Sequence, residues 1–300
     1  MSDADFEIPF ERLPERFAET VGDPPAVPAT PRPAATIVLL RDGQRDRPGG
    51  MQVLLMRRNR SAGFVPGAYV FPGGRVDGSD ATPDVVTRTD GLTPESAAAR
   101  LGLPHESEPQ ESEPHESEPP ALAYYLAALR EAFEETGILV GTRPDGTPAP
   151  TAAESPAVDE IRDALMLDRI SFAEALSRLD CRIAGEAVEY IAHWVTPEAE
   201  PRRYDTRFFA AQVPAGATAI IDRREMTDAL WLTPAEALGR CERGEVPMVF
   251  PTIRTLQELA AFDTPHEALR SYADARVRTI MPRLVVTPTG VGLRIDEPAP

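Results

Sequence analysis

The stretch Arg130-Glu131-Ala132-Phe133-Glu134-Glu135-Thr136-Gly137 decides how this 300-residue chain is read. Ahead of it Leu122, Leu126, Leu129 and Phe133 recur at four, three and four residues, which places them on one stripe of an α-helix. At about 100° per residue, Glu131, Glu134 and Glu135 share the other side. Gly137 stops the helix where a left-handed cap is easiest, and Ile138-Leu139-Val140 is expected as a strand after it. Like charges at i, i+3 and i+4 repel by roughly 0.2–0.5 kcal/mol per pair in an isolated helix. Arg130, four residues before Glu134, can orient one carboxylate but cannot neutralise three. A hard divalent cation can, because Mg2+ or Mn2+ takes oxygen ligands and completes its shell with water and phosphate. The bland alternative is a solvated acidic face.

Outward from that helix the pattern is mixed α and β. Thr36 to Leu40 and Val53 to Met56 are apolar runs divided by turn residues, so two paired strands are expected. Phe71-Pro72-Gly73-Gly74 follows a strand-like segment, and its paired glycines let a backbone carbonyl approach a ligand. Downstream, Val158 to Leu167 and Ser171 to Leu179 read as amphipathic helices, and Tyr190 to Val195, Arg207 to Val213 and Ala229 to Leu232 as strands. Thr233-Pro234-Ala235-Glu236 is a capping box that starts a helix at Pro234, and Thr264-Pro265-His266-Glu267 repeats the signal. Between them Thr252 to Phe262 is helical in pattern, and a hairpin is expected around Thr287 to Gly290. The organisation expected is a proline-rich tail or strap over 1–33, a catalytic domain over 34–245, and a C-terminal helical extension with a hairpin over 246–300. Residues 81–120 interrupt the domain. Their second half, 104–120, repeats a Glu-Ser-Glu-Pro unit and holds six glutamates with no Lys or Arg, so a disordered, solvated loop is expected.

That repeat accounts for much of the formal charge of −17, which argues against nucleic-acid or anionic-membrane partners. Cys181 and Cys241 and the four histidines show no ligand spacing, so neither a disulfide framework nor a Cys-rich zinc site is expected. The N-terminus carries Asp3, Asp5, Glu7 and Glu11 where a secretory signal would be basic and then apolar, and no run of about 18 apolar residues occurs. The C-terminal Glu297-Pro298-Ala299-Pro300 is no peroxisomal tripeptide. A cytoplasmic protein is expected, with a homodimer as one option for its assembly.

With these residues in hand, the sequence resembles the Nudix hydrolase family, whose box runs Gly, five residues, Glu, seven residues, then Arg-Glu-apolar-any-Glu-Glu-any-Gly-apolar. Gly74 matches the opening glycine, and Arg130, Glu131, Glu134, Glu135, Gly137 and Ile138 match the closing half. Asp80 stands where the family has its first Glu, and Ala132 is small for an apolar position. Between Asp80 and Arg130 lie 49 residues where the family has seven, so an insertion splits the box. A split box resembles the subgroup that includes the peroxisomal coenzyme A diphosphatases, as do Gly63 to Val70, His193 to Pro197, Arg202 to Phe209 and the region of Trp231.

The resemblance implies an α/β fold: a Nudix-type α/β/α sandwich with a mixed sheet, a long insertion inside the box and extra C-terminal helices. It implies a Mg2+ or Mn2+ site on Glu131, Glu134, Glu135 and the Gly74 carbonyl, with Glu131 or Glu225 taking the proton from water and Arg130 orienting the glutamates. Asp222 and Asp228 compete with Glu225. A coenzyme A motif of the relatives is matched by Leu54, Leu55, Arg58, Gly67 and Phe71 to Gly74, with Asn59 and Gly63 departing from it. Arg57, Arg58, Arg60, Phe71, Arg202 and Arg203 are the candidate substrate-binding residues. The activity implied is cleavage of a nucleoside diphosphate derivative, coenzyme A or acyl-coenzyme A first, to 3′,5′-ADP and a 4′-phosphopantetheine. NADH or ADP-ribose is the nearest alternative. A non-catalytic nucleotide-sensing module of the same fold is the remaining one.

Overall fold

A computed structural model describes residues 6–10, 17–22, 27–43, 50–60, 65–103, 119–221 and 225–295. It divides into two units, one of residues 34–191 with 207–277, the other of 1–33 with 192–206 and 278–300.

The larger unit is built on a sheet. Its strands are β1 (Arg32–Asp42), β2 (Met51–Arg58), β3 (Tyr69–Val70), β4 (Gly73–Arg75), β5 (Val188–Val195), β6 (Tyr204–Gln212) and β7 (Met226–Leu232), with the order β7-β2-β1-β6-β5; residues 32–33, 192–195 and 204–206 of them fall within the bounds of the smaller unit. Short β3 pairs with β2, and β4 with β1, both antiparallel. β1 is buried along almost its whole length, as a strand covered on both faces must be. Ile37, Leu39, Leu54 and Met56 point into one core. Val38, Leu40, Val53 and Leu55 alternate with them and are equally buried on the other face.

The helices are α1 (Pro94–Leu101), α2 (Ala121–Thr136), α3 (Pro156–Met166), α4 (Phe172–Arg178), α5 (Pro234–Glu242), α6 (Phe250–Leu259) and α7 (Pro265–Ala273). α2 packs on β4 and on α1, while α5 packs on β2 and β7, which makes three layers. Thr233 and Glu236 form the full capping box, whereas at Thr264 only half forms: its side chain accepts from Glu267 N–H, and the Glu267 carboxylate accepts from Asp263 N–H at 3.3 Å.

Three features differ from the sequence expectation. α2 is buried not along one stripe but nearly all round from Ala121 to Leu129, because the first part of the insertion is itself folded. Residues 83–86 and 94–101 are helical, and Val85, Leu92, Ala97 and Leu101 join the core. The acidic repeat lies almost wholly outside the described residues. Ile138 to Val140, expected as a strand, are buried coil; Ile138 N–H is taken by the Thr136 hydroxyl at 3.1 Å, and pairing begins only at Gly141–Thr142. Finally, Phe6–Pro9 is not a loose strap but a strand, paired antiparallel with Gly290–Arg294 of the C-terminal hairpin in the smaller unit. In the same unit Thr279–Ile280 pairs with His193 and Trp194.

Candidate active site

β4 and α2 bring the two halves of the split motif together. Arg130 and Asp80, 50 positions apart in sequence, are joined by Nε to Oδ1 at 2.6 Å. Asp80 is 1% exposed and also accepts from Asp77 N–H at 2.7 Å, so the short turn 78–81 holds it in place. Arg130 extends its other donors to Glu131 at 2.9 Å, to Glu134 at 3.0 Å and to the Arg75 carbonyl at 3.2 Å. Although burial works against its charge, these partners together hold the guanidinium more firmly protonated than usual.

The three glutamates sit on the helix side facing β4. Glu135 is the most deeply placed, and its carboxylate accepts a backbone hydrogen bond from Gly73 N–H at 3.0 Å. Burial and then the neighbouring Glu131 push its pKa well above 4.5, with Arg58 pulling the other way. Burial pushes Glu134 up to about 7 against the pull of Arg130. Glu131 is raised for the same reason, and Asp80 and Glu225 add to it. The charge of Glu225 thus reaches both Glu131 and Glu135, from an exposed position whose carbonyl accepts from Asn59 N–H at 2.8 Å.

Gly73 and Gly74 are needed for close approach. A Cβ on Gly73 would stand 2.5 Å from the Ala35 carbonyl oxygen, and one on Gly74 would overlap the Glu131 carboxylate. Gly73 therefore lets β4 lie tight against the backbone of β1, and Gly74 leaves room beside the strand for the Glu131 carboxylate of α2.

The remaining candidates divide. The charge of Arg58 reaches Glu135, whereas Arg57 lies over the Tyr69 ring at 5.8 Å and donates to the Gly67 carbonyl at 3.4 Å. The two cannot act as one cluster, because neighbouring residues of a strand point to opposite faces. Arg60 is exposed beside Gly67. Phe71 is 3% exposed, so it packs the turn and does not offer a stacking face. Asp228 is turned to the Tyr69 hydroxyl at 2.7 Å, which with burial pushes that phenol up to about 12, and Asp222 lies outside the described residues. Arg202 and Arg203 belong to the smaller unit. Arg203 is buried and donates to the carbonyls of Thr196 at 3.0 Å and Ala29 at 2.8 Å, so its guanidinium braces backbone and does not await a phosphate. Sequence reasoning gave no role to Asp80 as the partner of Arg130, since nothing local marks a contact across the insertion.

A divalent cation fits this site by donor chemistry. All the candidate ligands are oxygens, and desolvation raises each glutamate by more than the nearby guanidinium groups lower it. Among the described residues no group of three or more acidic, His or Cys side chains is already gathered in a metal-holding arrangement. Arg130 lies among them instead, so the carboxylates must part from it in some measure to take a cation.

A sheet with helices on both faces, and one helix presenting Arg-Glu and Glu-Glu to a Gly-Gly strand, define a Nudix hydrolase. The chain belongs to that family: the NUDT19 Nudix domain matches residues 31–259. The human acyl-coenzyme A diphosphatase NUDT19 is 28% identical over 295 residues, covering 88% of this chain and 78% of that protein. The Gallus gallus acyl-coenzyme A diphosphatase NUDT19 is 29% identical over 76% of this chain and 66% of its own length. The crystal structure of a NUDIX hydrolase from Alicyclobacillus acidocaldarius superposes with a TM-score of 0.62 at 28% identity, covering 83% of this chain and 99% of that one.

Proposed function

We propose that the protein hydrolyses the phosphoanhydride of coenzyme A or an acyl-coenzyme A, releasing 3′,5′-ADP and the (acyl-)4′-phosphopantetheine. The observation that carries the reaction is Glu135: a buried carboxylate with a raised pKa, beside two more glutamates and a carbonyl strand with no side chain in the way. The substrate rests on the relatives named acyl-coenzyme A diphosphatases and on Arg58, the motif arginine whose charge reaches Glu135.

Glu131, Glu134, Glu135 and the Gly74 carbonyl would hold Mg2+ or Mn2+. Such an ion, when bound, lowers the pKa of water and offsets charge on the phosphoryl oxygens. The chain's own groups do the rest. Glu225, exposed and not engaged by Arg130, takes the proton as the water oxygen bonds to phosphorus and the bridging P–O bond breaks. Arg58 meets the departing phosphate, and Arg130, anchored on Asp80, keeps the glutamates from drifting apart. Asn59 and Gly63 depart from the coenzyme A motif, which keeps NADH and ADP-ribose as the second reading. A purely sensing module is disfavoured because all three glutamates are retained.

Purified protein with Mg2+ or Mn2+ is to be offered coenzyme A, acyl-coenzyme A, NADH and ADP-ribose, with products identified by mass. Formation of 3′,5′-ADP with a preference of at least tenfold in kcat/KM, roughly 1.4 kcal/mol, supports the proposal. Preferential turnover of NADH or ADP-ribose replaces the substrate, and no turnover of any of the four rejects the enzyme reading.

A further inference from the structure

Glu134 and Glu135 stand in the last turn of α2, where a helix is least able to hold its own backbone, because its last four carbonyls lack intrahelical donors. Donors arrive from elsewhere. Gly137 N–H, in its left-handed cap, reaches the Phe133 carbonyl at 2.9 Å, and Ile220 N–H reaches that of Thr136 at 2.8 Å. The Glu134 carbonyl accepts at 2.7 Å from Nε of Arg162, a residue of α3.

Arg162 is a costly way to end a helix. Its side chain is 3% exposed, its Nη1 donates to Asp159 at 3.1 Å, and its Nη2 is buried without a hydrogen-bond partner. A buried guanidinium with an open donor and a counter-ion 38% exposed is unfavourable compared with an apolar side chain of similar size. It is also redundant as a stop signal, since Gly137 at φ 69° already ends α2. What the guanidinium adds is a fixed orientation for the peptide plane between Glu134 and Glu135. That plane governs the directions in which both side chains leave the backbone, and a cation at a helix C-terminus is favourably placed against the dipole.

We infer that Arg162 is a positioning residue: by bonding the Glu134 carbonyl it holds Glu134 and Glu135 in the arrangement that takes the divalent cation. The inference rests on the metal-binding reading above and assigns a role to a residue outside the motif.

Mn2+ binding to the full chain without substrate, followed by electron paramagnetic resonance, separates the two. Glu135→Gln is expected to lose binding. Arg162→Met is expected to bind about 10–100-fold more weakly, the range typical of residues that orient metal ligands. Arg162→Lys should regain part of the affinity, and KM for substrate at saturating Mn2+ should stay within about twofold in both Arg162 variants. Amide exchange in metal-free Arg162→Met should quicken over residues 131–138 and stay unchanged over β1. Wild-type Mn2+ affinity in Arg162→Met, with binding lost in Glu135→Gln, overturns the inference and leaves the metal reading intact. Undiminished binding in Glu135→Gln overturns the reading and the inference with it. Loss of protection throughout Arg162→Met, β1 included, also overturns the inference, because Arg162 is then a residue of general stability.

Discussion

Replacing Glu135 by Gln keeps the shape of the side chain and its acceptor for Gly73 N–H, and removes one buried charge. In metal-free protein this should stabilise the fold. The size is bounded, because a carboxylate that is too costly to bury ionised takes up a proton instead. From the ordinary value of 4.5, that ceiling rises by about 1.4 kcal/mol per pH unit. It is ~1.4 kcal/mol at pH 5.5 and ~3.4 kcal/mol at pH 7. The sign follows from the raised folded pKa: wild-type stability is intact below 4.5 and is lost as pH climbs toward the folded value, above which the loss levels off. Glu131 and Glu134 titrate in both proteins and largely cancel in the difference. For a unit of this size the gain at pH 7 is at most roughly 7–14 °C in Tm. Melting both proteins in chelator from pH 5 to 8 tests this. At a thousandfold excess of Mn2+ over Kd the order reverses even at pH 7, since only the wild type gains binding energy, ~4.1 kcal/mol against the ceiling of ~3.4 kcal/mol. A pH-independent difference in chelator, or equal stabilisation of both proteins by Mn2+, would refute the reasoning.

Other expectations are simpler to check. Gly74→Ala places a methyl against the Glu131 carboxylate, so kcat/KM should drop at least about a hundredfold while denaturant unfolding shows a loss of ~1–3 kcal/mol. Asp80→Asn releases Arg130 to compete for Glu131 and Glu134, and Mn2+ titrations of activity should show half-activation shifted up by about 10–100-fold. Arg203→Ala removes two part-buried hydrogen bonds to carbonyls and should lower stability by ~1–3 kcal/mol, with kcat/KM at saturating metal unchanged within about threefold.

The arrangement of the candidate site on its helix was legible because it is local. Glu131, Glu134 and Glu135 share a helix side by spacing alone, and Gly74 falls in register with them once the insertion is allowed for. What escaped is what only folding brings together. Asp80 meets Arg130 across the insertion, and Arg162 meets a backbone carbonyl, a contact that leaves no residue pattern at all. Alternation on β2 was available to separate Arg57 from Arg58, but three arginines within four residues invite reading as a patch. The burial of Arg203 carried no such signal. The strand at Phe6–Pro9 was obscured by the prolines after it, and its partner at Gly290–Arg294 lies at the far end of the chain.

The bond between Asp80 and Arg130 joins residues that stand on either side of the insertion. A polypeptide interrupted within residues 104–118 would therefore place Gly73, Gly74 and Asp80 on one fragment and Arg130 with its three glutamates on the other. Neither fragment alone has a complete set of donors. Hydrolysis then becomes a signal that two separately made polypeptides have met, and the natural insertion supplies the point of division for a two-part reporter.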